Sequence, residues 1–544
     1  MQPAAHGHKR ILAIMTTAAG IIVTATLVIT LRAAAATPTQ NSQANSSSLA
    51  ESTVIMPLHL DPGSTAADKG DLGNSADGRD NKNKVTGYVW RTPSEGFTGT
   101  WYVVEAGIMV TVVVTADTRL DNFVNGRVPD RYEWVEAKGK PQDDGTFLAR
   151  KLRPNRFEPG EVVARLTATT TLTDVLTTYS TYSLALLDTQ LADARIYRFA
   201  IAEDLDEQVV AAAMQADTAR FAWAEVNFMS EIPSGPTADP YRTWKWGSDD
   251  PTGYINQSAF AQIGLPAVQG ILSGTGVTIA VLDTGVDATH PVFAGRLVPG
   301  RDLIHFDDIP QDGPEPGQPG GIAQGHGTHV SGVITHIAPE GKIMPMRILN
   351  VDGRGNTFIL AYAIEWAANN GADVINMSLG TDCSSKVLAE SVADAQAKGV
   401  VMVAAAGNGN LDAPQCPAGN PGVLSVTAVD DADKKADFAN YGADWIDLAA
   451  PGVGITSTVP VSGSILYGTW SGTSMATPFA SGAAALLRQR LPGAQPQEIA
   501  DILVGTGTNL DPYNPDYQGK LGHLLNLGSA AYPMKVYLPG VIGK

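Results

Sequence analysis

An α/β fold, with a mainly parallel central sheet flanked by helices, is predicted for the second half of this 544-residue chain. Three observations predict it. Two apolar, β-branched runs, VTIAVLD at 277–283 and VVMVA at 400–404, read as buried strands. Each run leads to a polar residue beside a glycine, Asp283 ahead of Gly285 and Asn408 after Gly407. Two stretches rich in small residues, HVSGVITHI from 329 and TSMATPFASGAAALLRQRL from 473, read as helices, the second long and buried. Polar groups at the carboxyl ends of such strands lie where open α/β sheets carry their sites.

The segments before that domain follow in order. Residues 1–36 form an export segment: Lys9 and Arg10 precede 21 uncharged residues (11–31), and alanines after Arg32 resemble a cleavage site. As a helix, 11–31 would reach about 32 Å and could span a bilayer. Its dilution by Ala, Thr and Gly favours a cleaved signal peptide over a retained anchor, and either one turns the protein outward. Residues 37–84 are rich in Asn, Ser, Gly and Asp and cannot bury enough apolar surface to fold, so they form a flexible linker. Residues 85–160 carry five or six short β-type runs, among them GTWYVVEA, IMVTVVVT and TFLARKLRP, which suggest a small all-β barrel of the OB kind. Acidic and basic residues alternate there without a basic cluster, and the whole chain has a net charge of -18. Nucleic acid and anionic membrane surfaces are therefore excluded as partners, and the barrel is expected to be a spacer or protein-binding module. Residues 161–230 read strand, helix, strand, strand, helix, strand, a ferredoxin-like split βαβ pattern. A Pro- and Gly-rich junction (231–252) leads into the α/β domain (253–532), and a short tail (533–544) ends the chain.

The chemistry lies in the α/β domain. A serine hydroxyl is a weak nucleophile at neutral pH and needs a base to take its proton and a carboxylate to orient and stabilise that base. Asp283 in VLDTG, His326 in HGTHVSG and Ser474 in GTSMATP supply those groups, and an amide such as that of Asn408 can donate to the oxyanion of a tetrahedral intermediate. The motifs point to peptide-bond hydrolysis by an activated serine. Their order and contexts resemble the subtilisin-like serine proteases, from about residue 253 to 531. The resemblance implies Asp283 as the orienting carboxylate, His326 as general base and then acid, Ser474 as nucleophile and Asn408 as oxyanion donor. It further implies that Gly353, Arg354 and Gly355, with Ser378, Leu379 and Gly380, pair with the substrate backbone. Ala405, Ala406 and Gly407 would wall the primary specificity pocket. The 161–230 segment resembles, by pattern, the inhibitory propeptide of that family, so a self-processing zymogen cut between about residues 228 and 253 is expected. Its partners would be protein or peptide substrates and its own propeptide. The enzyme would act as a monomer, secreted, or membrane-bound if 11–31 is retained.

Other readings compete. His326 and His329 alone cannot make a zinc site, which needs a third ligand. A protease fold that has lost catalysis and serves as a surface scaffold or adhesion protein is countered by four intact chemical positions. Many relatives hold calcium through an aspartate after the His-Pro of this region and through a loop interrupting the histidine helix. Here Val292 follows His290-Pro291 and no such loop appears, so no strong calcium site and no required cofactor are expected, while weaker cation sites stay open. Thr381, where many relatives have glycine, is expected to narrow the pocket rim. Gln415 falls near the pocket floor, which suggests a medium-sized or polar side chain at the cleavage position. In an exported protein Cys383 and Cys416 are expected to be bridged rather than free, and neither has the base a nucleophile needs.

Overall fold

The computed structural model describes residues 83–531 except 94–95, 106–107, 121–127, 129–133, 155, 203–204, 233–243 and 315–319. The export segment, nearly all of the linker, the centre of the junction and the tail lie outside the described residues.

Strands Lys84–Arg91, Gly99–Glu105, Ile108–Leu120, Trp134–Pro141 and Phe147–Pro154 close into a barrel, with the third and fifth parallel. Trp101, Val103, Val112 and Leu152 fill it because alternate positions of each strand face inward. A second sheet follows. Strand Phe157–Leu166 lies between Phe221–Glu231 and Ile196–Ala200, with Ala185–Asp188 beyond. Helices Leu172–Thr178 and Glu207–Ala216 complete the split βαβ unit, each capped by its own side chain, Thr171 and Asp206. Two boundaries differ from the sequence reading. The first strand of this unit starts at Phe157 rather than 161, and its last strand ends at Glu231 rather than 230. Neither extension has a hydrophobic signal of its own.

The α/β domain is built on a nine-stranded sheet ordered Arg301–Asp302, Lys342–Arg347, Thr278–Asp283, Val374–Met377, Val401–Ala405, Val423–Val429, Leu448–Pro451, His523–Leu524 and Thr508–Asn509. All neighbours are parallel except the last pair. From Thr278–Asp283 the chain passes through helix His326–Ile337 to the strand on one side, then through helix Thr357–Asn369 to the strand on the other. Asp283 therefore ends the strand at which the winding reverses, the place where α/β sheets open a crevice. Helix Thr473–Arg490 is buried along nearly its whole length. Its small residues allow that: a Cβ on Gly482 would come within 2.8 Å of the Ile337 side chain, so bulk here would push the two helices apart. Strand Trp244–Trp246 pairs with Ile465–Trp470, so the domain's pairing begins ahead of residue 253.

Candidate active site

Asp283 is fully buried and accepts a hydrogen bond from its neighbour, Thr284 N, at 2.7 Å. Its backbone oxygen takes Ile348 N and Leu349 N from the adjoining strand end, which fixes the direction of the carboxylate. His326 is the first residue of its helix, and its Nδ1 lies 2.8 and 2.9 Å from the two Asp283 oxygens. A carboxylate can only accept, so Nδ1 carries the proton and Nε2 is left as the basic nitrogen.

What holds that helix start was not legible in the sequence. Asp312, on a distant loop, accepts from Gly325 N (3.0 Å), Thr328 N (3.0 Å), Thr328 Oγ1 (2.6 Å) and Thr284 Oγ1 (3.1 Å). One carboxylate thus ties the turn after Asp283 to the first turn of the His326 helix, taking amides that would otherwise lack partners. Burial pushes the Asp312 carboxyl up to about 6, against these hydrogen bonds. His329 packs flat on Trp470, with ring centroids 4.4 Å apart, and bonds Ile455 O. Burial drives it down to about 3, so its ring is neutral where it packs on Trp470.

Ser474 stands in the first turn of helix Thr473–Arg490, 3 % exposed. Four residues on, Pro478 has no N–H to give the Ser474 carbonyl. That carbonyl accepts from Ser378 Oγ instead (3.0 Å), and Ser474 Oγ lies 3.2 Å from Ser378 O. Ser378 is held in turn by Asn376 (3.0 Å), itself bonded by Ser481 (2.8 Å) from the same helix. Asn408 turns its carboxamide oxygen to Thr473 N (2.9 Å) and Oγ1 (2.8 Å), which commits the oxygen and leaves Nδ2 as the donor end. A Cβ on Gly472 would sit 3.4 Å from Asn408 Nδ2 and 3.7 Å from Ser474 N, so both donors border the space that this glycine leaves open.

Beside these groups a strand of the chain itself lies in the cleft. Glu231, Ser230 and Met229 pair antiparallel with Arg354, Gly355 and Asn356 on one side; Glu231 and Ser230 pair with Gly380 and Thr381 on the other. Ile232 N adds a bond to Gly353 O, and Thr381 Oγ1 donates to Met229 O (2.6 Å). On the second edge this strand therefore meets Gly380 and Thr381; Leu379 is fully buried and Ser378 bonds Ser474. Cys383 and Cys416 are joined as a disulfide, with Cα atoms 4.9 Å apart.

The residues around His290 do not fit a strong calcium ion. His290 Nδ1 accepts from Val292 N, Val292 brings no side-chain oxygen, and helix His326–Ile337 is unbroken. Among the described residues there is no group of three or more His, Cys, Asp or Glu side chains able to hold a metal.

Residues 274–522 match the model of the subtilase family. Thermitase of Thermoactinomyces vulgaris is 38% identical over 275 residues, which cover 48% of this chain and 94% of that protein. The chain belongs to the subtilase family. Subtilisin BL of Lederbergia lenta is 38% identical over 252 residues, 45% of this subtilase and 87% of that one. Among solved structures, fervidolysin from Fervidobacterium pennivorans, described as a keratinolytic enzyme related to subtilisin, superposes with a TM-score of 0.56 at 25% identity. That match covers 69% of this chain and 61% of fervidolysin, extending well beyond the 274–522 match. This subtilase is a subtilisin-like serine endopeptidase, and the likenesses give the silent-scaffold reading no support.

Proposed function

We propose that this subtilase is exported as a zymogen, cuts itself, and hydrolyses peptide bonds through an acyl-enzyme carried on Ser474. The observation that carries the reading is the grip of both Asp283 oxygens on His326 Nδ1. It sets the tautomer a general base needs, in a site where Asn408 holds Thr473, the residue next to Ser474. His326 Nε2 takes the Ser474 proton as Oγ attacks the scissile carbonyl, and Asp283 stabilises the imidazolium. Asn408 Nδ2 and Ser474 N receive the oxyanion, and His326 then returns the proton to the leaving amine. Water repeats the sequence to release the acid.

The split βαβ unit is the inhibitory prosegment in this reading, and three features support it. Its last strand fills the cleft in the manner of a substrate backbone. Glu225 accepts from Ser385 Oγ, Lys386 N and Val387 N at one helix start, while Asn227 accepts from Phe358 N at another. Trp223, Val163 and Ile196 of its sheet pack in one cluster with Phe358, Val387 and Leu388 of the α/β domain. Within the window of about 228 to 253 read from the sequence, the pairing of Ile232 and of Trp244 supports a cut between them, in 233–243. Export rests on the sequence of 1–36; among the described residues no helix is long and apolar enough to cross a membrane.

A fluorophosphonate probe tests the catalytic roles. The processed protein is expected to label at Ser474 and to hydrolyse casein, and Ser474→Ala to do neither; an unlabelled, folded wild type would overturn the reading.

A further inference from the structure

We propose that Gln415 closes the pocket beside Ser474 and restricts cleavage to bonds that follow a small side chain: glycine, alanine or serine. The inference rests on the catalytic roles given above and names the substrate class they serve.

The position of that pocket follows from the geometry. A carbonyl attacked by Ser474 Oγ, with its oxygen toward Ser474 N and Asn408, lies between two backbone segments. One is 378–380, bonded to Ser474 through Ser378; the other is 405–407, which leads into Asn408. The side chain preceding the scissile bond must enter between them, where both segments present a glycine, Gly380 and Gly407. The slot those glycines would leave is occupied. A Cβ on Gly380 would lie 2.3, 2.4 and 2.6 Å from Nε2, Cδ and Oε1 of Gln415, and one on Gly407 would lie 2.8 and 2.9 Å from its Oε1 and Cδ. The carboxamide therefore spans from wall to wall, with Nε2 donating to Ala405 O at 3.3 Å.

The walls and the backbone that carries Gln415 are held in place, while its carboxamide rests on one hydrogen bond of 3.3 Å. Next to Gln415, Cys416 is 2 % exposed, is bridged to Cys383 and exchanges two backbone hydrogen bonds with Thr381 on the Gly380 wall, 2.6 and 3.1 Å long. Gly419 N holds the Gln415 carbonyl at 2.9 Å. Across the slot, Asn440 Nδ2 donates to Ala406 O (2.9 Å) and Asn440 N to Gly407 O (2.9 Å). A phenylalanine or leucine could enter only by expelling the Gln415 carboxamide and breaking its bond to Ala405, whereas alanine asks for no displacement. The preferred side chain is thus smaller than the position of Gln415 in the sequence suggests. One methylene too many in an apolar pocket already costs about 10- to 200-fold in kcat/KM, and an aromatic ring exceeds that by several carbons.

The test compares peptide anilides that differ only in having Ala or Phe before the scissile bond, with active sites counted by fluorophosphonate titration on the self-processed full-length product. Wild type is expected to favour Ala at least tenfold in kcat/KM per titrated site, and Gln415→Gly to raise the Phe substrate at least tenfold and invert the preference. Gln415→Ser, a smaller change at the same floor, should shift the ratio the same way if the glycine variant fails to fold. A titratable wild type that prefers Phe, or variants that leave the ratio unmoved, would overturn the role of Gln415 while leaving the catalytic reading intact. A wild type with no titratable serine would overturn the catalytic reading itself.

Discussion

Asp283, His326, Ser474 and Asn408 were legible because each sits in a short motif at an element end, where a side chain can reach across the sheet edge. The residues that aim them were not. Asp312 lies in an irregular loop whose only sequence feature is a Pro-Gly-rich context, yet it ties the Asp283 turn to the His326 helix. Pro478 lies within the run read as one long helix, and only the structure relates its missing N–H to the Ser378 bond at Ser474 O. Asn408→Ala is expected to lower kcat about 100- to 1,000-fold with KM little changed, a range carried over from the equivalent donor of a subtilisin. Steady-state kinetics check it, and a loss below tenfold would mean that Ser474 N carries the oxyanion without help. The Oδ1 bonds to Thr473 would also be lost in this variant, so the active-site titre must be compared first.

In the proposed zymogen, strand Phe221–Glu231 is the element that governs access to the site. Its hydrophobic alternation was readable through Phe228; the last three residues were not, because their partners, Arg354–Asn356 and Gly380–Thr381, lie some 120 residues or more away in sequence. Glu225, midway along the strand, receives three donors at the start of helix Lys386–Ala397, yet burial dominates and pushes its carboxyl up to about 7 from an ordinary 4.5. The docked strand then binds this proton more tightly than the released one. The contribution of Glu225 to docking is complete below pH 4.5 and is lost as pH rises through 7, a difference of about 3 kcal/mol between the limits. Lys386, the charged group facing it, moderates the loss. The lag between self-cleavage and full activity is therefore expected to shorten as pH goes from 6 to 8.5, and Glu225→Gln should flatten that dependence. Following activity after a pH jump checks it, and an equal pH dependence in the variant would count against the assignment.

Across the whole molecule, the barrel and the split βαβ unit are joined by a buried ion cluster. Arg153 of the barrel meets Glu136 of the barrel at 2.9 Å and Glu207 of the split βαβ unit at 3.0 Å, all three at most 2 % exposed. The barrel also reaches the cleft: Trp134 stacks on the Arg354 guanidinium at 3.8 Å, and Ile322, four residues before His326, packs against Val104 of the barrel, as Trp90 and Trp134 do. Composition and turn spacing foretold a small β-module, because alternation along strands is local. They gave no sign that it would rest on Arg354, because such contacts depend on how separate folded units meet. The same division holds for the α/β domain, whose strands and helices follow from apolar runs while the filling of the pocket by Gln415 depends on four segments converging. Because the barrel precedes the prosegment in the chain, one cut within 233–243 would leave both on a single amino-terminal fragment. Intact mass of the exported protein, measured beside its Ser474→Ala variant, tests the account most directly. Two wild-type fragments meeting within 233–243 and an uncut variant are predicted; a wild type of full, unprocessed mass, or a variant cut at the same place, would contradict self-processing by Ser474.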